Sequence, residues 1–390
     1  MKARFKNLYN RFFFTPRPLP PGAYNSIMII DGKPNRLHLR IENEGQGILV
    51  VNASTVLHLN QTAAEIAYYL AKNMAPDEII TEMVKRYQVS SEVASQDLEE
   101  LKIRIATLME TPDLDPETFL DMDRAVRHSS EFSAPLRMDC ALTYQIPSGS
   151  PELYTPANRV DRPLDTEEWK TILDKAWEWG VPHVVFTGGE PTLRPDLCEL
   201  VQHAEYIGQV TGLITDGFRL TEREYLQKLL STGLDHIMLI LVENDDISWE
   251  AIRDAVQEDI HVTVHMTIND TNKNNIQVLL DKLFDMGVKN ISFSSSSRTN
   301  ESFLADASRM AAEKGLSLIY DLPVPYSELN PVNLELEEDH TTIEGSGRSW
   351  IYVEPDGDVL PGQGNPHVLG NLLKDSWINI SSNRKIYLSK

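Results

Sequence analysis

Cysteine is nearly absent from this chain. Of 390 residues only Cys140 and Cys198 carry a thiol. Two thiols cannot build a disulfide framework, a thiolate zinc site or an iron–sulfur cluster unaided. Cys140 lies in a strand-like run and Cys198 in a helical one, the pattern of two buried thiols. Long apolar runs are missing too, and none approaches the ~20 residues that a membrane helix needs. Positive charge is in deficit, with 36 Lys and Arg against 58 Asp and Glu, a net charge of −22. That balance speaks against general nucleic-acid binding and for cationic or neutral partners. Together these absences point to a cytoplasmic protein.

What is present begins with the exception to the acidic balance. MKARFKNLYNRFFFTPR carries five basic residues, and no acid precedes Asp31. Phe5, Leu8, Tyr9, Phe12 and Phe13 fall at helical spacing, so the segment predicts a short amphipathic helix without the apolar core of a signal peptide. Pro16–Pro21 is a stiff connector. Ser26–Ile30, Arg36–Ile41, Ile48–Val51 and Thr55–Leu59 read as strands separated by glycine turns. Asn60 caps a helix over Gln61–Asn73, Pro76 opens a second, and Ser90 or Ser91 caps a third that includes residues 93–105. This is the pattern of a small winged-helix-like α+β unit. Residues 113–135 are polar and proline-spaced, as a linker is.

From Leu136 strands and helices alternate. Strand candidates are Arg137–Thr143, His183–Thr187, Val210–Thr215, His236–Leu241, His261–Thr267, Ile291–Ser294 and Leu316–Tyr320. Helical stretches such as Thr166–Trp179, Arg223–Thr232, Ser248–Gln257 and Ile276–Met286 separate them. The alternation predicts a parallel sheet with right-handed crossovers. The sharpest single signal is VPHVVFTGGEPT over residues 181–192. Val184, Val185 and Phe186 form a buried-strand run, Gly188-Gly189-Glu190-Pro191 ends it, and a helix with Leu197, Leu200, Val201, Ala204 and Ile207 on one stripe follows. In a βα barrel such a loop lies at the mouth where ligands bind.

These residues resemble the radical S-adenosylmethionine (SAM) enzymes, whose GGEP strand end binds the amino group of SAM. The resemblance implies a partial (β/α)6 TIM-like barrel over residues 136–330. It also implies a CxxxCxxC loop holding a [4Fe–4S] cluster after the first barrel strand. Here, aligned on Leu142-Thr143-Tyr144 and the closing Tyr154, the three cysteine positions hold Ile146, Ser150 and Leu153. None ligates iron as thiolate does. Asp216-Gly217 stands where the family often has TNG. Gly188, Gly189, Glu190, Pro191 and Asp216 are thus the remaining SAM-site positions, and no iron–sulfur cluster is expected.

Two further resemblances frame the barrel. His58-Leu59-Asn60-Gln61-Thr62-Ala63-Ala64-Glu65-Ile66, with Met83, Arg86-Tyr87, Val89 and Asp97, resembles the PqqD-like domains, which bind the leader of a ribosomally made precursor peptide. The peptide typically adds as a strand to the sheet edge, and Arg36–Ile41 is the expected edge here. Ser349–Gln363 and Leu369-Gly370-Asn371-Leu372 resemble the SPASM extension of peptide-modifying radical SAM enzymes. Its auxiliary-cluster positions hold Glu344 and Gly362.

The chain therefore reads as α/β. An extension (1–35), a PqqD-like winged-helix domain (36–112) and a linker (113–135) precede the barrel, and a degenerate SPASM-like extension (331–390) follows it. His261, Thr263, His265 and Thr267 share one strand face, a polar lining rather than a metal site. Ser294–Ser297 and Arg298 lie at a strand's C-terminal end, where hydroxyls and a guanidinium meet a carbonyl or carboxylate, or simply water. Two functional readings follow. One is a pseudoenzyme that binds a precursor peptide, an active radical SAM partner, or both. The other is a cluster-independent enzyme in the same barrel that still uses SAM.

Overall fold

The computed structural model describes residues 16–30, 33–51, 55–110, 133–146, 160, 162–295, 301–318, 345–363, 365 and 367–388. Residues 1–15 of the N-terminal basic segment, Ser150, Leu153, Ser296, Ser297, Arg298 and Glu344 lie outside them. The chain divides into two compact units, residues 1–130 with 178–180 and the remainder. Among the described residues no helix is long and apolar enough to cross a membrane.

The first unit is a four-stranded antiparallel sheet in the order β1 (Gly22–Ile30), β2 (Lys33–Ile41), β3 (Gly47–Val51), β4 (Thr55–Leu59). Helices α1 (Gln61–Ala71), α2 (Pro76–Tyr87) and α3 (Ser91–Glu110) follow. Asn60 caps α1 by accepting from the Ala63 N–H at 2.9 Å, and proline with two acids opens α2, as the helix dipole favours. Alternation turns Leu37, Leu39, Ile41, Leu49, Val51, Leu57 and Leu59 into one core, which Ile66, Ile79, Met83, Leu98 and Ile105 complete. Two expectations need correction. The first strand begins at Gly22, four residues ahead of the expected Ser26. And Arg36–Ile41 is no edge, because β2 pairs with β1 on one side and β3 on the other. Among the described residues the edges are β1 and β4.

The second unit is built on a ten-stranded sheet. β5 (Arg137–Thr143), β6 (His183–Gly188), β7 (Val210–Thr215), β8 (His236–Ile240), β9 (His261–Ile268), β10 (Asn290–Ser295) and β11 (Ser317–Leu318) lie parallel and in chain order. Between them run α4 (Thr166–Glu178), α5 (Leu197–Ile207), α6 (Arg223–Leu230), α7 (Asp246–Ala255), α8 (Ile276–Asp285) and α9 (Glu301–Glu313). Sequential order with right-handed crossovers puts the helices on one face of the sheet. Met138, Cys140, Leu142, Val184, Phe186, Leu213, Ile237, Leu239, Val264, Met266 and Ile291 form that face, all buried.

The register places the alternate residues on the inner face: Arg137 and Asp139, His183 and Thr187, Gly212, His236, His261 to Thr267, Ser292 and Ser294. The tail is not a separate body. β12 (Trp350–Val353) pairs in parallel with β5, and β13 (Asp358–Leu360) and β14 (Gly370–Asn371) continue the same sheet. The Leu369-Gly370-Asn371 segment forms this short strand, and the last helix, α10 (Trp377–Leu388), starts only six residues after Asn371.

Candidate functional site

Gly188 and Gly189 end β6 where the chain leaving β5 crosses it. A Cβ on Gly188 would stand 2.2 Å from the Thr143 carbonyl oxygen, and one on Gly189 2.1 Å from that of Gln145. Only glycine permits that approach, and at Gly188 the backbone also sits at φ +125°. The close packing is used for bonding: the Gly189 N–H donates to Thr143 O and the Glu190 N–H to Gln145 O, both at 2.7 Å. Pro191 starts a 3-10 turn over Pro191–Leu193 with Glu190 as its cap.

The Glu190 side chain is buried, 1% exposed. One carboxylate oxygen accepts from the Thr192 N–H and hydroxyl and from the Thr215 hydroxyl, the last at 2.7 Å. The other accepts from the Asp216 N–H at 2.8 Å. Asp216 in turn accepts from the Phe218 N–H at 3.0 Å. Burial first, then the neighbouring Asp216 charge, pushes Glu190 up to about 8, and burial raises Asp216 as well. The motif thus ties together the ends of three strands, β5, β6 and β7. Burial raises the proton affinity of its acid, and donors of the chain itself already meet both of its oxygens.

The fit to an iron–sulfur cluster fails on the donors. Cys140 faces the helix layer of β5, fully buried, and burial raises its thiol well above the usual range. Cys198 sits in α5, also raised by burial. Ile146, at the first cysteine position, is half-buried and apolar. At Gly362 a Cβ would meet the Ser346 hydroxyl at 2.6 Å and the Trp350 ring at 2.9 Å, so the fold leaves little space there for a cysteine.

The structure also assembles groups that the sequence reading did not join. Arg194 chelates Asp196 and donates to the carbonyls of Leu142 and Leu164, bracing the same strand ends. The Tyr144 hydroxyl, just past β5, donates to Glu354 at 3.1 Å beyond β12. His265 is fully buried, with Nδ1 at 3.1 Å from the Ser292 hydroxyl and Nε2 at 2.9 Å from that of Ser294. Burial lowers it to about 3, so it is a neutral member of a hydroxyl network that includes Thr267. His261 is exposed, at the other end of the strand. The two histidines do not converge. At that lower end His183 and His236 meet instead, Nε2 to Nε2 at 2.8 Å across Gly212. Only the period-2 pattern, matched across several strands, could have announced this pair.

Comparison with known proteins agrees with this architecture. Residues 140–260 match the radical SAM superfamily and residues 47–102 the coenzyme PQQ synthesis protein D family. The chain therefore carries a radical SAM domain behind an N-terminal PqqD domain. It is homologous to PqqA peptide cyclases: 29% identical to that of Streptomyces rochei over 254 residues, 58% of this chain and 69% of the relative. Against that of Rhodopseudomonas palustris the identity is 41% over 110 residues, 28% of this chain and 29% of the relative. The fold is that of Streptococcus suis SuiB, with a TM-score of 0.54, 16% identity and coverage of 88% and 86% of the two chains. SuiB bound to its precursor peptide SuiA superposes at a TM-score of 0.58 with 14% identity, covering 92% of this chain and 88% of that one.

Proposed function

We propose that this chain is a cytoplasmic pseudoenzyme of the radical SAM type, with a degenerate SPASM-like extension, that binds a ribosomally made precursor peptide through its PqqD domain. It serves peptide modification as a binding subunit, presenting the peptide to an active radical SAM partner. One observation carries the reading: the two cysteines lie in a strand's helix-facing side and in a helix, so no thiolate set can hold the cluster that SAM cleavage needs. The kinship to PqqA peptide cyclases and the likeness to a structure holding a precursor peptide support a peptide as the partner.

The competing reading, a cluster-independent enzyme, draws on the buried Glu190–Asp216 pair, whose raised proton affinities are of the kind found at acid–base sites. One set of measurements separates the two. The full chain is titrated with labelled precursor peptides of the PqqA and SuiA kinds, before and after anaerobic reconstitution with iron and sulfide. The pseudoenzyme binds the peptide equally in both, without retained iron and without loss on Glu190→Gln. Retention of about four irons per chain through gel filtration overturns the proposal. Peptide binding abolished by Glu190→Gln favours the enzyme.

A further inference from the structure

At the N-terminal end of the parallel sheet lies a pair of imidazoles that neither the Gly-Gly-Glu-Pro motif nor the peptide reading uses. His183 starts β6 and His236 starts β8. Between these strands runs β7, where Gly212 is the register partner of His236. A Cβ on Gly212 would stand 2.2 Å from the His236 ring. Its absence lets that ring reach across β7 until the two Nε2 atoms are 2.8 Å apart. The ring planes meet at 65°, with centroids 5.0 Å apart. On the other side His261 of β9 is also a register partner of His236, so a third imidazole leaves the sheet on the same face.

Two neutral imidazoles this close share one proton, one Nε2 donating and the other accepting. His183 and His236 are both half-buried, so water reaches them. Burial first, then the neighbouring His261, lowers His236 to about 4, and burial lowers His261 as well. Neutral rings are what a metal ion requires of histidine. Arg137, whose charge also bears on His236, is paired with the buried Asp139 at 2.9 Å and stacked 5.2 Å from the Trp350 ring. Much of its charge is thereby offset. The spacing of the pair then selects a geometry. At metal–nitrogen distances of about 2.0–2.1 Å, ligands at a right angle stand about 2.9 Å apart and ligands at the tetrahedral angle about 3.4 Å. The observed 2.8 Å matches the right angle. Such cis ligands suit the tetragonal sites of Cu2+ and Ni2+, whereas Zn2+ must spread the rings by about half an ångström.

We propose that His183 and His236 form a binding site for a divalent late transition cation of the Cu2+ or Ni2+ kind, held by the two Nε2 atoms, with His261 and water available for its remaining positions. The cation takes the lone pairs of both Nε2 atoms. The proton that bridged them moves to Nδ1 of the ring that carried it, so no proton leaves the protein. Gly212 gains a definite role on this reading. Glycine inside a strand weakens it, and a neutral hydrogen bond alone offsets little of that, but the missing Cβ is what brings the two ligands together. The site lies at the opposite end of β6 from Gly188 and depends on neither the SAM-site positions nor the peptide.

The test uses the untagged full chain with Cu2+, Ni2+ and Zn2+ salts in a weakly coordinating buffer. About one Cu2+ per chain should survive gel filtration, and its electron paramagnetic resonance should show coupling to at least two nitrogens. His183→Gln and His236→Gln should each weaken binding about tenfold or more, and Gly212→Ala should do the same by displacing the ring. His203→Gln serves as the control, because His203 pairs with Asp174 on the helix layer, and it should change nothing. Should His236→Gln fail to fold, His183→Gln at its half-buried position still decides. Copper binding unchanged in His183→Gln, or a resonance without nitrogen coupling, overturns the site. Copper lost in His203→Gln, or not retained by the wild-type chain, marks adventitious surface binding only and overturns it as well. Zn2+ bound about tenfold more tightly than Ni2+ overturns the right-angle geometry and the class of cation.

Discussion

Glu190→Gln probes the strand clasp most directly, because its effect depends on pH in a direction that the structure dictates. In the fold, burial and the Asp216 charge hold Glu190 at about 8, against an ordinary value of 4.5. A carboxyl raised on folding is bound to its proton more tightly in the native chain than in the unfolded one. Native stability therefore falls as pH rises from about 4.5 toward 8, and is level above that. Between pH 6 and pH 9 the loss is about 2–3 kcal/mol in the wild type, at 1.36 kcal/mol per pH unit over the interval where only the unfolded state is ionised. Glutamine has no such proton. It keeps one oxygen for Thr192 and Thr215 but presents an NH2 to the Asp216 N–H, a lost bond with a buried donor left over, worth about 1–3 kcal/mol. Glu190→Gln should thus be the less stable protein at pH 6, and the gap should shrink by about 2–3 kcal/mol by pH 9. Urea unfolding followed by tryptophan fluorescence at the two pH values measures it. A gap that does not change with pH means that Glu190 ionises normally in the fold, and the neutral-acid clasp is wrong.

Three other perturbations read the same frame. Gly189→Ala drives a Cβ to within 2.1 Å of the Gln145 carbonyl, so the β5 and β6 ends must part. A loss of about 1–3 kcal/mol is expected, and a variant as stable as wild type in the same unfolding assay refutes the close approach. Gly212→Ala brings a Cβ 2.2 Å from the His236 ring, which must swing away from His183. The NMR signature of the hydrogen-bonded imidazole pair should vanish, with a similar loss of stability. Acid should also act through His236 and His265, held by burial at about 4 and about 3. Both are lowered on folding, so stability is lost as pH falls from about 6.5 toward those values. A His265→Gln chain should show a shallower acid limb, and an unchanged limb counts against the buried neutral imidazole.

How much of this was legible in the sequence depends on the range of the interaction. Most barrel strands were, because β5 to β8 are buried on both faces and leave short apolar runs closed by turns. Val210–Thr215 matches β7, and His183–Thr187 falls one residue short of β6. β1 was only half visible: Gly22–Asn25 carries no alternation and follows prolines, and the strand is extended there because β2 offers it a partner. The edge went to the wrong strand for the same reason. Arg36–Ile41 has the clearest alternation of the sheet, but alternation reports a buried face and says nothing about which neighbours complete the ladder. The Leu369-Gly370-Asn371 segment carries no strand signal of its own, and tertiary pairing of Gly370 with Val359 draws Gly370 and Asn371 into the sheet. At the candidate site the motif itself stood out, while its partners did not. Thr215 lies 25 residues from Glu190, and nothing local in either stretch announces their bond.

That last contact bears on why a ligand motif can outlast its ligand. Glycine at 188 and 189 is required by carbonyls of the chain leaving β5, whatever occupies the mouth. Glu190 closes a buried ring of donors from its own turn and from β7, and Pro191 starts the turn that makes the ring. Each residue of Gly-Gly-Glu-Pro thus has a folding role that needs no cofactor, and losing any of them strands buried polar groups or forces a clash. A cluster loop is different. Its cysteines hold the metal, and once the metal is gone no packing term retains them, so Ile146 is free to stand there as a half-buried apolar group. On the proposed reading, a chain that gives up the cluster but keeps the barrel should therefore lose its cysteines and keep its glycines, which accords with Ile146 beside an intact Gly188-Gly189 here.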